Sequence, residues 1–508
     1  MPNEKKNTIY HTEAENGALL TLRQGSAFLK ILPPHTEGLD HDQPRALRGL
    51  ASIIDGELCH RCGSCIGICP TDVLRPDHDE FPAVANLSAC TDCDLCVKVC
   101  PGTEFDAPSF SREKFSQELP IKDMHGIFEA AYLSYAAKNN VRSEISTSGG
   151  FVTALLVSLL RQGIIDGAVV VASDEGDLWK GRPILARTEE EIISAAKSKY
   201  AISPTNIILS EIRKTPGRYA LVGLPCQIHG FLKAARLDRK LSERVVLTIG
   251  LFCHAAIEHE PMRYIWDNLG VAKKDIVRFI SRVGKHPGAP HVELRDGSLR
   301  PVYFPGKKGY RPNSMEMLNI LYRLYTPARC LSCYDSTAEY ADIAVGDPWM
   351  PRPGPEINFQ DGYSFVLART SAGIDMIDLA SQNGDLCNIE ITADAARRSN
   401  TMMGHEKRWR AFRVVEMLAR RGRPTPRYGF PTPQAGGKHL LMTEINMISH
   451  LFCFIKTGRL PLLKLSLSLP GYVALWLNHQ RRQFRFWRKE TVAAFKRKFL
   501  GEKALKEP

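Results

Sequence analysis

The 508-residue sequence contains no Gly-x-Gly-x-x-Gly after a strand pattern, so the usual glycine-rich dinucleotide turn is excluded. No run of about twenty uncharged apolar residues occurs either. The nearest approach, Ile445 to Leu477, is broken by Lys456, Arg459, Pro461, Lys464 and Pro470, which argues against a spanning helix. The opening Met1-Pro2-Asn3-Glu4-Lys5-Lys6 lacks the apolar stretch of a secretory signal. Fourteen cysteines are too sparse for a disulfide scaffold, so a reducing, cytoplasmic setting is expected. Net charge is +12, yet no nucleic-acid recognition motif accompanies it, and no nucleic-acid partner is expected.

What the chain does have is a repeat. Cys59-x-x-Cys62-x-x-Cys65-x-x-x-Cys69-Pro70 is followed by Cys90-x-x-Cys93-x-x-Cys96-x-x-x-Cys100-Pro101. Each is the run by which bacterial ferredoxins hold [4Fe–4S] clusters, which carry single electrons. In two-cluster ferredoxins the fourth cysteine of each run serves the other cluster. One cluster would therefore take Cys59, Cys62, Cys65 and Cys100, and the other Cys90, Cys93, Cys96 and Cys69. Paired zinc sites are the plainer alternative, but a zinc ribbon needs two C-x2-C pairs rather than two four-cysteine runs closed by Cys-Pro.

The length implies two to four domains. Residues 1–52 read as a polar extension with an apolar patch near 18–32, and 53–102 as a small α+β ferredoxin-like two-cluster module. Residues 127–400 alternate strands and helices and read as an α/β domain, a mixed sheet with flanking helices. Its expected strands include Gly167–Ala172, Tyr219–Pro225, Val245–Leu251, His291–Ser298 and Ala341–Asp347. Expected helices start at Phe151, Thr188 and Gln227. Residues 401–508 read as a helical, basic extension. From His479 to Pro508 ten Lys or Arg stand against three Glu, a composition suited to peripheral membrane contact or an acidic partner.

Four further cysteines stand at element ends: Cys226, Cys253, Cys330 and Cys333. Spacing alone leaves them open, since a cysteine after a strand is commonly just buried. Several motifs occur in order here: Ser146-Thr147-Ser148-Gly149-Gly150-Phe151-Val152-Thr153, Ser198-Lys199-Tyr200, Gly223-Leu224-Pro225-Cys226-Gln227, Gly250-Leu251-Phe252-Cys253, Cys330-Leu331-Ser332-Cys333 and Ala341 to Asp347. Together they resemble the beta-subunit family of coenzyme F420 hydrogenases and dehydrogenases over residues 127–400. The resemblance implies FAD held at Ser148, Gly149, Gly150 and Thr153, with Lys199, Tyr200, Ser203 and Asn206 lining it. It also implies a third [4Fe–4S] cluster on Cys226, Cys253, Cys330 and Cys333. Cys387 and Cys453 are left without a role.

The resulting expectation is an iron–sulfur flavoprotein oxidoreductase. A ferredoxin-like donor would load the clusters, and FAD would pass the electrons to an organic acceptor. Two alternatives stand beside it. One is an electron-transfer subunit docked on a partner oxidoreductase, with no substrate site of its own. The other is an enzyme of the F420 or chlorophyllide-reductase type, toward which Gly284-Lys285-His286-Pro287-Gly288 is a partial match. Asp347 is expected in a turn and Trp349 in the core. No catalytic acid or base can be named from the sequence.

Overall fold

Strands that are apolar at nearly every position need cover on both faces, and the computed structural model supplies it. The structure describes residues 29–32, 43–139, 141–142, 148–353 and 356–500. Most of the 1–52 extension, Ser146, Thr147 and residues 501–508 lie outside the described residues. The strands in chain order are β1 (Leu74–Pro76), β2 (Pro82–Val84), β3 (Ala130–Ala136), β4 (Gly167–Ser173), β5 (Gly181–Ala186), β6 (Tyr219–Gly223), β7 (Val245–Leu251), β8 (Ile276–Val283), β9 (Ala289–Leu294), β10 (Leu299–Pro301), β11 (Ile343–Gly346), β12 (Ser364–Ala368) and β13 (Leu386–Glu390). Eight of them form one sheet in the order β13–β3–β12–β11–β7–β6–β4–β5. The pairs β11–β7, β7–β6 and β6–β4 are parallel, and the outer pairs are antiparallel. The sheet is therefore mixed, as expected.

Helices cover both faces. Phe151–Arg161 and Ser371–Gln382 bury Phe151, Leu155, Leu159 and Ile377 against one. Pro225–Leu237 and Thr401–Arg420 bury Ile228, Phe231, Ala411 and Phe412 against the other. Residues 401–420, at the start of the basic extension, pack on the main core because their apolar face completes it. The module boundary shifts. Helix Arg45–Asp55 and Leu29 pack with Leu58, Val73 and Cys96, so part of the supposed extension is module core. The module also shares Ile68, Val99 and Phe105 with the main core, which seats it on the sheet's helical layer. A second, antiparallel sheet, β10–β9–β8, carries its own cluster with helices His259–Asp267 and Ser314–Tyr325.

The helix expected from Thr188 spans Glu189–Ser194 and starts in a capping box with Thr188 and Glu191. Among the described residues no single helix is long and apolar enough to cross a membrane. The segment 438–500 breaks into helices Lys438–Ser449, Leu451–Ile455, Arg459–Ser466 and Leu469–Leu500.

Candidate redox centre

Each cysteine run folds as a loop leading into a one-turn helix, Ser64–Gly67 in the first and Leu95–Lys98 in the second. Three sulfurs of a run then face one cavity, while the fourth cysteine, past the helix, faces the other. One cavity is lined by Cys59, Cys62, Cys65 and Cys100, with His60 and Arg61 beside them. The second is lined by Cys69, Cys90, Cys93 and Cys96. Burial, then the charge of Cys100, pushes the Cys59 thiol up to about 12, so thiolates gathered here need a cation such as iron to neutralise them.

The first run is joined to the main domain by Asn206. Its backbone N–H donates to the Cys62 carbonyl (3.0 Å). Its side-chain amide donates to Ser64 Oγ and to the Gln227 carbonyl, both at 2.8 Å. At Gly67 an added Cβ would lie 2.0 Å from the Asn206 carbonyl, so only glycine allows this approach. Asn206, which the family resemblance offers as a flavin contact, is fully buried here as a joint between the two modules.

That joint places the third set of cysteines next to the first. Cys226 sits in the first turn of Pro225–Leu237, where Pro225 tolerates the unpaired N-terminal positions. Cys253 follows β7, and Cys330 and Cys333 flank the end of helix Ala328–Leu331. Burial raises Cys226 well above its ordinary value, and after burial its largest influences are Cys62, Cys330, Cys333 and Cys253. Cys253 is pushed up to about 12 by burial, against the lowering effect of Lys407.

The surroundings carry a surplus of buried positive charge, which the cysteine spacing gave no way to foresee. Arg329, Arg369, Lys407, Arg408 and Arg410 are all almost fully buried there, against the carboxylates of Asp335 and Glu339. Lys407 Nζ donates to the carbonyls of Cys253 and Asp335, both at 2.6 Å. Arg329 donates through Nε to the Gly102 carbonyl (3.0 Å) and through Nη1 to Tyr428, tying the third set to the second cysteine run. His229 Nε2 pairs with Asp335 Oδ2 at 3.0 Å and stacks on Phe105, a structural role. Uncompensated buried cations are costly, and four thiolates on an iron–sulfur cluster would balance them. Among the described residues no three His, Cys, Asp or Glu side chains are grouped to hold a single ion. Zinc thiolates would need sulfurs only about 3.8 Å apart.

The residues expected around the flavin fall in two places on the carboxyl edge of the parallel strands, where ligands of open α/β sheets bind. Gly150 adopts φ 78° at the start of helix Phe151–Arg161, which has no side-chain cap. Gly149 is bare for the sheet's sake: a Cβ there would lie 2.5 Å from the Ser134 carbonyl and the Ser364 nitrogen. Ser148 Oγ is 3.4 Å from Ser364 Oγ, and Thr153 is half-buried. Beside this turn Arg142 donates from Nε to the Gly362 carbonyl (2.9 Å) and stacks on Tyr135 at 3.7 Å. Its buried Nη2 has no partner. An uncapped helix start with an unsatisfied guanidinium fits a diphosphate.

Lys199 and Tyr200 lie elsewhere on that edge. Lys199 Nζ caps the preceding helix through the carbonyls of Ala195 (2.6 Å) and Ala196 (2.9 Å). Ser203 packs against Gly181 at the head of β5. Tyr200 lies beside Arg282, which donates to Asp347 Oδ2 (2.8 Å) and to His286 Nδ1 (2.7 Å). Trp349, expected in the core, is 40% exposed and leans on His286 at 5.1 Å. The Gly284–Gly288 and Gly346–Asp347 motifs thus meet through one arginine, a contact that sequence order hides.

Burial, then Arg278, lowers Lys199 to about 7. An unfolded lysine titrates near 10.4, so between about pH 7 and 10 the unfolded chain binds the extra proton and stability rises with pH. Lys199→Met is expected to abolish this rise, read as the difference between wild-type and variant urea midpoints across that range. Parallel curves for the two proteins would refute it.

Two sulfur-lined cavities and a third cysteine set in a cationic shell, seated on a mixed α/β domain, define an iron–sulfur protein of oxidoreductase-type electron transfer. Residues 51–101 match the 4Fe-4S dicluster domain. Residues 131–210 match the N-terminal part of the coenzyme F420 hydrogenase/dehydrogenase beta subunit, and residues 217–394 its C-terminal part. The chain belongs to that beta-subunit family. It is 29% identical over 339 residues to the coenzyme F420-dependent sulfite reductase of Methanocaldococcus jannaschii, covering 64% of this chain and only 46% of that one. With one subunit of the F(420)H(2) dehydrogenase of Methanosarcina mazei it is 27% identical over 343 residues, covering 65% of this chain and 84% of the relative. An uncharacterized protein of Methanocaldococcus jannaschii is 31% identical over 265 residues, 52% of this chain and 87% of that one. The solved F420-reducing [NiFe] hydrogenase complex from Methanosarcina barkeri aligns with 61% of this chain and 98% of the matching one, at 23% identity and TM-score 0.46.

Proposed function

We propose that the chain is an iron–sulfur flavoprotein oxidoreductase that takes electrons from a ferredoxin-like donor and delivers them to an organic acceptor. When bound, [4Fe–4S] clusters carry single electrons and FAD converts them to a hydride equivalent. The observation that carries the reading is the joint at Asn206, which sets the cysteines of the first run beside Cys226 in one buried, cation-lined region.

Cys59, Cys62, Cys65 and Cys100 would hold one cluster, Cys69, Cys90, Cys93 and Cys96 the second, and Cys226, Cys253, Cys330 and Cys333 the third. Lys407 and Arg329 offset their negative charge and exclude water. The backbone at Ser148, Gly149, Gly150 and Thr153, with Arg142, would hold the flavin diphosphate, and Tyr200 with Lys199 and Ser203 would line the flavin further along the edge. Arg282, His286 and Trp349 mark the open side, where an acceptor would lie.

A second reading is a subunit that works only within a larger redox complex. The names of relatives described as subunits of an F(420)H(2) dehydrogenase and a coenzyme F420 hydrogenase favour it, and they make coenzyme F420 the first acceptor to try. The test is the iron, sulfide and flavin content of anaerobically purified protein. About twelve irons and one FAD per chain are expected. About eight irons without flavin would overturn the reading.

A further inference from the structure

We propose that the outward face of the C-terminal helices is a docking surface for an anionic lipid bilayer. This inference stands independently of the cofactor assignment, and residues 438–500 lie beyond all three matched spans.

These helices have a fixed inner face. Cys453 and Leu463 are fully buried, and Phe452, Leu460 and Leu475 pack with the core under the second sheet. Arg459 pairs with Glu258 and Glu260, and the Tyr472 hydroxyl donates to the Tyr310 carbonyl at 3.2 Å. So anchored, the segment holds its other face outward.

That outer face is strongly apolar. Of the twenty large hydrophobic residues exposed among the described residues, thirteen fall between Leu440 and Phe484. Leu441, Ile445 and Ile448 recur at helical spacing on one side of Lys438–Ser449, with Ile448 71% exposed. Leu469, Val473 and Leu477 do the same on Leu469–Leu500. Arg459–Ser466 and the following helix are apolar enough to pass for a span only as a pair, and they are bent by 65°, which suits lying in an interface.

Charge identifies the occupant. Residues 438–500 hold twelve Lys or Arg and two Glu, a net +10 out of +12 for the whole chain, and of the twelve Lys456, Arg459 and Arg482 pair with Glu57, Glu260 and Glu316 of the body. Apolar rows together with dense cations on consecutive helices match a bilayer with anionic headgroups. The core of a protein interface is, by contrast, depleted of charge.

The test is flotation of the full holoprotein with vesicles of phosphatidylcholine alone or mixed with phosphatidylglycerol. Binding to the mixed vesicles is expected to be about tenfold tighter or more, and to weaken as salt is raised. The variant Leu441→Ser/Ile445→Ser/Ile448→Ser, altered only at exposed positions, is expected to lose about tenfold in binding with its circular dichroism unchanged. Leu469→Ser/Val473→Ser/Leu477→Ser is expected to behave alike. Equal binding to both vesicle types, or wild-type binding by both variants, would overturn the proposal. So would an acidic protein held in a stoichiometric complex that the variants break while vesicles bind nothing.

Discussion

Cys253→Ala is expected to remove about four irons per chain and to leave the other eight in place. Cys253 is reached by Lys407 and lies among Cys226, Cys330 and Cys333, whereas the two sulfur-lined cavities of the N-terminal module use none of these four. A three-thiolate remnant leaves one iron of the site without its protein ligand, and the anion that would balance the surplus of buried positive charge over Asp335 and Glu339 is weakened with it. Breaking one side of a buried charge arrangement costs about 3–5 kcal/mol, so the variant should also unfold at lower denaturant. Electron delivery to any acceptor should fall to background, while the absorbance of the N-terminal clusters persists. Cys387→Ala, in β13 and outside all three sets, is the matched control and should change none of these. If Cys253→Ala and the wild type both hold about eight irons, no third cluster exists.

Lys407→Met is the second large effect, and it separates charge from ligation. All four cysteines remain, but the carbonyls of Cys253 and Asp335 each lose a charged donor. Two such bonds amount to about 3–5 kcal/mol of stability, measured by urea unfolding of the holoprotein. Burial works against the charge of this lysine, but the sulfurs of Cys333 and Cys253 outweigh it and hold the group up at about 12. Lys407 is therefore charged throughout the ordinary pH range. Removing a positive charge disfavours the more reduced, more negative state of the site. One couple of the three should therefore move to lower potential, by up to about 60–130 mV for a one-electron step. The couples of the N-terminal module should stay where they are. An unchanged set of three potentials would show that Lys407 serves packing alone.

Much of this chemistry is short-range, and short-range chemistry is legible in a chain. C-x2-C-x2-C-x3-C-P specifies a cluster loop because its ligands are contiguous. Val245–Leu251 specifies a central strand because its run of apolar and β-branched residues leaves no charged side chain to face water, and the observed strand has those bounds. Thr188 and Glu191 announce a helix start because both partners of the cap lie within one turn. The order of motifs from Ser148 to Asp347 was enough to identify the family.

Other features depend on residues that meet only after folding. Nothing near Asn206 in the chain signals that Ser64 and Gln227 will claim its amide. Lys407 and Arg410 fall at the start of what reads as a basic, helical extension, where charges are normally solvated. The sheet's need for a second helical layer drew them inward, onto the cysteines. Trp349 reads as core but stays 40% exposed, leaning on His286, which Arg282 ties to Asp347. The C-terminal helices read as a basic extension, yet their inner face packs with the cluster under the second sheet. Local pattern thus determined the iron–sulfur chemistry, the sharing of cysteines between the two N-terminal runs and the elements, while the tertiary structure decided what lies beside those sulfurs, what balances their charge and which surface is left for a partner. The reason is that ligand spacing is encoded within a few residues, whereas charge balance and exposure are properties of neighbours far apart in the chain.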